Sequence, residues 1–352
     1  MTSGSWKALI GLLVLTMGTS TLTPLLPLYQ KDFGLSTGTA TLLFVTYTIT
    51  VCPTMLIAGN LSDRLGRKRL LLPAMAVMTL ASLVFALAES VPMLFAGRVL
   101  QGLAIGGFLG VGSAFVVDHA RADAKPLAAA LAGVFFRLGF GLGPGIAGIT
   151  AQYAPNPRHL IFEIHIVLMI IGMIAVATAS ETLMRRQRGQ PFRIRIGVPE
   201  GQALGFLTFV APAAFMMSFI EGTLLSVVPI FVVDTLHVHN LAVVGAIGFV
   251  NGFILYGGTV IAGTIVPIEE RGKLMSLLYT FAYAGTVPTV ALGYLGDAIG
   301  LTGSLLIFSI AASCIALFVL LVGRRYFREV VPYVETVVVA PPPPTGQAAP
   351  AR

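Results

Sequence analysis

Long apolar runs separated by short charged or polar breaks dominate this chain. A helix needs ~20 predominantly apolar residues to cross ~30 Å of hydrocarbon. Ten such runs can be placed, at 7–28, 37–58, 70–88, 92–117, 126–152, 160–180, 204–232, 240–265, 273–296 and 301–323. They predict an all-α polytopic membrane protein, a helical bundle of about ten transmembrane helices, numbered here as spans 1 to 10. The first run continues past Thr19 with no small-x-small cleavage site, so it is expected to stay as an uncleaved span. The remainder, 324–352, carries Pro341-Pro342-Pro343-Pro344 and ends in small and polar residues, the composition of a disordered tail.

Composition fits a bilayer as the solvent. Hydrophobic residues make up 56% of the chain and charged residues 11%, against roughly 25% charged in a soluble domain. The 39 glycines suit helices that pack closely in lipid. Cys52 and Cys314 both lie inside apolar runs, where a disulfide framework is not expected.

The net charge of +7 could suggest nucleic acid, but its distribution does not. Lys and Arg cluster at Lys7, in the 64–69, 121–125, 185–195 and 271–273 loops, at 324–328 and at Arg352. With both termini placed in the cytoplasm, all of these fall inside, and only Lys31 and Arg158 fall outside. Arg98 and Arg137 lie within spans. Such asymmetry is the positive-inside pattern, and it predicts a multi-pass protein of the inner (plasma) membrane.

The loop after span 2 reads Gly59-Asn60-Leu61-Ser62-Asp63-Arg64-Leu65-Gly66-Arg67-Lys68-Arg69. Its glycines allow a tight turn, and Asp63 suits a helix N-terminus. The spacing resembles the signature loop of the major facilitator superfamily, G-x-L-x-D-R-x-G-R-K. Two further segments are similar to motifs of that superfamily. Arg98-Val99-Leu100-Gln101-Gly102 in span 4 resembles its R-x-x-Q-G. Gly139 to Gly148 in span 5, centred on Gly143-Pro144, resembles G-x-x-x-G-P-x-x-G-G of its proton-coupled exporters, with Ala147 in place of one Gly. Ser180-Glu181-Thr182 after span 6 resembles the P-E-T loop, with Ser180 in place of Pro. By spacing alone the span 5 glycines permit close helix packing and Pro144 a bend. The resemblance adds a place for them at a moving interface.

A superfamily of this kind has two six-span halves related by a repeat. Pro144 aligns with Pro288 at an offset too short for six spans and their loops. The second half therefore reads as lacking a hairpin, assigned here to the counterparts of spans 2 and 3, with run 240–265 matching span 4. The expected organisation is a six-span half at 1–184, a cytoplasmic central loop at 185–203, a shortened half of about four spans at 204–323, and the tail at 324–352. A groove is expected where two helices are missing, filled by lipid, a partner membrane protein or a second copy.

Charges at membrane depth are costly and need a reason. Glu221 lies well inside span 7, Arg98 inside span 4 and Arg137 inside span 5. They can form a structural ion pair, or a proton or substrate site. Arg98 and Glu221 are expected at similar depths and so as partners. Glu163 and His165 near one end of span 6 read as interfacial. Asn251, Tyr256 and Tyr283 could offer polar groups to a cavity, and Met216 and Met217 read as core or lipid-facing. His237 and His239, without a Cys partner, make a weak metal pair. No cofactor, metal or nucleophile–base arrangement stands out, so no enzyme activity is expected.

The resemblance implies a secondary transporter working by alternating access, exporting a small molecule against protons. Arg98, Gln101, Arg137 and Glu221 would carry substrate binding or proton coupling. Gly59, Asp63, Arg64, Gly66, Arg67, Lys68, Gly143, Pro144 and Gly148 would control the conformational switch. The shortened half and the Pro-rich tail suit a second class of function, a non-transporting membrane scaffold or assembly partner derived from a transporter.

Overall fold

A computed structural model of the chain describes residues 1–182, 206–254 and 281–338, with the backbone alone described at 59–60, 63, 209, 252–254 and 322–338. Among these residues there is no strand. Span 1 is the helix Ser3–Ser20, a 3₁₀ turn Thr23–Leu25 and the helix Leu26–Phe33. Pro24 and Pro27 lack the N–H that an uninterrupted helix would use there. Spans 2 to 6 are single helices, Thr37–Leu65, Arg67–Ala86, Val91–Asp118, Lys125–Tyr153 and Leu160–Ala177. Span 7 opens with a π turn, Phe206–Val210, and runs on as Ala211–Asp234. Spans 8, 9 and 10 are represented by Leu241–Ile254, Pro288–Ile299 and Leu301–Val338. Eight of the described helices are long and apolar enough to cross a membrane. The predicted central loop 185–203 and the four-proline segment lie outside the described residues.

The predicted sides of the membrane assemble at opposite ends of the bundle. At one end Lys7 Nζ donates to Thr178 O at 3.3 Å, Thr2 Oγ1 donates to His119 O at 2.7 Å, and Arg67 meets Asp118 at 3.3 Å. At the other, Arg158 pairs with Asp32 at 3.4 Å and lies over the Phe33 ring. These are the two groups that the charge pattern separates.

Glycines set the helix spacing within the first half. A β-carbon on Gly106 would sit 2.7 Å from Val51 O, and one on Gly139 would sit 2.5 Å from Leu13 O, so spans 2 and 4, and spans 1 and 5, meet backbone to backbone. Span 5 continues through Pro144. The proline cannot donate to Phe140 O one turn back; Ser20 Oγ of span 1 donates to that carbonyl instead, at 2.7 Å. Span 10 is different. Only 6% of its most apolar window is buried, against 89% for span 1, and Leu306, Ile310, Leu317, Leu320 and Leu321 are exposed. Its helix passes the predicted end at 323 and reaches Val338, because polar residues propagate a helix about as well as apolar ones.

The most extensive contacts between the halves run along two helix pairs. Span 2 packs along span 9: a β-carbon on Gly293 would lie 3.0 Å from Thr37 O, and the Tyr294 ring covers Gly38. Span 5 packs along span 8 through Gly148 and Gly245. Two-fold related halves exchange their contacts reciprocally. If span 9 is the counterpart of span 5, the helix packed on span 5 stands where the counterpart of span 2 belongs. That helix is span 8. On that premise span 8 matches span 2, not span 4 as the sequence suggested, and a shortfall would fall after span 8. Residues 255–287 separate the two described helices there, against 66–124 in the first half, which hold two spans.

Candidate functional site

Arg137, midway along span 5, and Glu221, within span 7, form an ion pair across the two halves. Nη1 and Oε1 are 3.4 Å apart, and the side chains are 10% and 19% exposed. Each charge would be costly alone at this depth, and each offsets that cost for the other. The guanidinium also lies 5.6 Å from the centre of the Phe136 ring. Nearby, Thr286 Oγ1 donates to Thr48 Oγ1 at 3.3 Å, a second polar link between the halves.

Arg98 is not the partner of Glu221. It is fully buried, and among the described residues its hydrogen bonds go to neutral oxygens. Nε donates to Leu43 O at 3.1 Å, Nη1 to Thr19 O at 3.0 Å and to Gln101 Oε1 at 2.8 Å, and Nη2 to Phe44 O. The Phe44 and Tyr47 rings flank the guanidinium at 5.1 and 4.3 Å, which favours a cation. Gln101 Nε2 donates in turn to Gly18 O at 2.9 Å. Arg98 and Gln101 thus tie spans 1, 2 and 4 together. Depth alone paired Glu221 with Arg98; the face each helix presents pairs it with Arg137 instead.

The loop between spans 2 and 3 is held by two acids from later in the chain, Asp118 at the end of span 4 and Glu181 just beyond span 6. Gly66 adopts φ 107°, a conformation that side chains other than glycine's resist. A β-carbon there would also approach Glu181 Oε2 to 2.6 Å. Glu181 accepts from the N–H groups of Arg67 and Lys68, each at 3.1 Å, and so caps the N-terminus of span 3. Arg67 reaches Asp118 Oδ2 and, at 2.7 Å, Ser62 Oγ. Lys68 Nζ donates to the carbonyls of Ala177 and Ala179 at the end of span 6. Arg64 lies in the last turn of span 2. Gly59 and Asp63 are on the same helix, with side chains outside the described residues. Asp118 escaped the sequence reading, since one Asp at a helix end has no local signature.

The span 5 motif divides its work. Gly143 faces span 1, against Met17 O and Ser20. Pro144 and Gly148 face the other half. A β-carbon on Gly148 would lie 2.5 Å from Leu241 O and 2.7 Å from Gly245 Cα, one on Gly248 would lie 2.7 Å from Pro144 Cβ, and Gly145 abuts Phe249.

Other expectations fare variously. His165 is fully buried, not interfacial: Nδ1 lies 2.7 Å from Ser82 Oγ and Nε2 2.9 Å from Val14 O. Nearness to a helix end does not fix which face a residue presents. Glu163, two residues earlier, is exposed. Met216 and Asn251 are buried, while Tyr256 falls outside the described residues. The His237 and His239 ring centres are 6.4 Å apart.

The model of the Major Facilitator Superfamily matches residues 8–258. The chain belongs to this superfamily. It is 35% identical over 124 residues to a bacillibactin exporter of Bacillus subtilis (strain 168), an alignment covering 34% of this chain and 31% of that protein. It is 25% identical over 182 residues to multidrug resistance protein 2 of the same organism, covering 52% of this chain and 45% of that one. The chain thus aligns with less than half the length of either relative. Among solved structures, the peptide transporter POT in complex with sulfate superposes with a TM-score of 0.73 at 14% identity, over 93% of this chain and 96% of that one. The human organic anion transporter MFSD10 gives a TM-score of 0.58 at 17% identity, over 91% and 98%. At such identities the likeness is one of fold.

Proposed function

We propose that this superfamily member is a secondary active transporter of the plasma membrane, exporting a small molecule in exchange for protons by alternating access. Both termini lie on the cytoplasmic side in this reading. The observation that carries it is the Arg137–Glu221 pair, an ion pair that bridges the halves at mid-membrane. If the halves move relative to each other, the pair separates. Glu221 would then take a proton or release it according to state, and a ligand or proton binding one state better shifts the balance. The names of the exporter relatives support the direction of transport. Arg98 and Gln101 position spans 1, 2 and 4 around this pair.

A non-transporting scaffold derived from a transporter would need the same fold but no titratable pair between the halves. That pair therefore favours transport. Glu221→Gln keeps shape and removes the titrating group. In proteoliposomes the variant is expected to lose pH-gradient-driven export while retaining substrate binding. Transport at the normal rate, with the same pH dependence, would overturn the reading.

A further inference from the structure

At the end of the bundle where span 2 begins, each half caps a helix of the other. The first turn of span 2 has donors with no partner within the helix. Its own cap residue, Ser36, takes Thr39 N–H on Oγ at 3.2 Å. The N–H groups of Thr37 and Gly38 go instead to Asp297, at the end of span 9. Each carboxylate oxygen accepts one of them, both at 2.8 Å. Span 8 repeats the arrangement. Its own Asn240 takes Ala242 N–H at 2.9 Å, while Leu241 N–H donates to Gln152 Oε1, at the end of span 5, at 2.8 Å. The two devices occupy equivalent places in the exchange that pairs span 2 with span 9 and span 8 with span 5. One cap carries a charge and the other is neutral.

We infer that Asp297 and Gln152 form a latch on a gate at this end of the bundle, the contacts that must break for the site between the halves to open toward this side. This inference deepens the alternating-access reading and rests on it. The local caps, Ser36 and Asn240, stay with their own helices whichever way the halves move. The bonds to Asp297 and Gln152 exist only while the halves are closed here. They therefore stabilise one access state and not the other, which is the requirement for setting a two-state balance. The carboxylate at a helix N-terminus makes charge-assisted bonds and meets the positive end of the helix dipole, so Asp297 is the stronger element. The tight contacts beneath it, Gly38 under Tyr294 and Gly148 against Gly245, bring the helices close enough for side chains to reach the caps.

Site-directed thiol labelling tests the latch without requiring transport. In the full chain with Cys52→Ser and Cys314→Ser, Thr48→Cys places a reporter at a position 3% exposed, where the halves touch. A membrane-impermeant maleimide is added to intact cells and, separately, to inverted vesicles. Asp297→Ala is expected to speed labelling from the side on which Thr37 lies by about tenfold, the factor a charge-assisted hydrogen bond commonly contributes. Gln152→Ala should give a smaller rise and the double variant the largest. Labelling from the opposite side should slow. A merely loosened protein would label faster from both sides, and that result overturns the inference. So does an unchanged rate in the double variant. Asp297→Asn, which keeps the volume and loses the charge, serves if Asp297→Ala fails to fold. Loss of transport in Glu221→Gln with the labelling response intact would separate the latch from the coupling mechanism.

Discussion

Arg137 reaches Glu221 from a helix of the opposite half, with 3.4 Å between Nη1 and Oε1. Arg137→Ala leaves the carboxylate without its partner. The loss is expected at about 2 kcal/mol, below the ~3–5 of a fully buried pair because both side chains keep some exposure. Arg137→Ala/Glu221→Ala should recover most of it. Thermal unfolding in detergent of the two single variants and the double variant checks this. Additive losses would mean that the two charges are not coupled.

Span 5 and span 8 offer a contrast between two glycines. Gly148 has Gly245 Cα and Leu241 O where a β-carbon would go, whereas nothing lies within 4 Å of such a carbon on Gly110. Gly148→Ala is expected to push the halves apart, to lower the melting temperature and to reduce transport. Gly110→Ala should raise helix stability by roughly 0.5–1 kcal/mol, since alanine restricts the unfolded chain. Melting curves of the two variants, measured side by side, should move in opposite directions.

Arg98 holds three backbone carbonyls and Gln101 in one planar fork. Lysine keeps the charge but offers its donors from a single point. Arg98→Lys, with three donors for four oxygens, is expected to lose at least one of these charge-assisted bonds, at ~1.5–3 kcal/mol. The expected outcome is a melting temperature lowered by several degrees, even though the charge is conserved. An unchanged melting temperature would mean that the charge alone matters here.

Local signals carried much of this into the sequence. Apolar runs marked the helices, charged loops sorted their ends, and the Gly59–Arg69 and Gly139–Gly148 segments pointed to the family. Contacts between distant helices left weaker traces. Depth showed that Glu221 needed a partner and pointed to Arg98, yet depth is shared by residues on every face, so it could not show that Arg137 presents the right one. The offset of Pro144 from Pro288 pointed to a second half short of two spans. It could not say which, because a deletion before or after span 8 gives the same offset; the packing of span 8 against span 5 favours a position after span 8. Asp297 drew no notice in the sequence, since nothing near it announces the helix it caps.

Asp297 also makes the latch respond to acid in a defined direction. It lies one residue beyond the apolar run 273–296. Partial burial alone would raise its pKa, but hydrogen bonds from Gly38 and Thr37 N–H and from the Ser36 and Thr37 side chains outweigh it and hold the carboxyl below its ordinary value of 3.8. A group whose pKa is depressed in the latched state stabilises that state above its unlatched pKa. The contribution fades as pH falls through the depressed value. Moderate acidification on that side, down to pH ~5, therefore leaves Asp297 ionised and the latch closed. Protons that drive exchange would then act at Glu221 and not by opening the gate. Spin labels on the facing ends of spans 2 and 9 should show a constant distance from pH ~8 to ~5. Asp297→Asn should lengthen it at every pH in that range. A distance that grows near pH 6 in the unaltered chain would place the titrating group of this gate elsewhere.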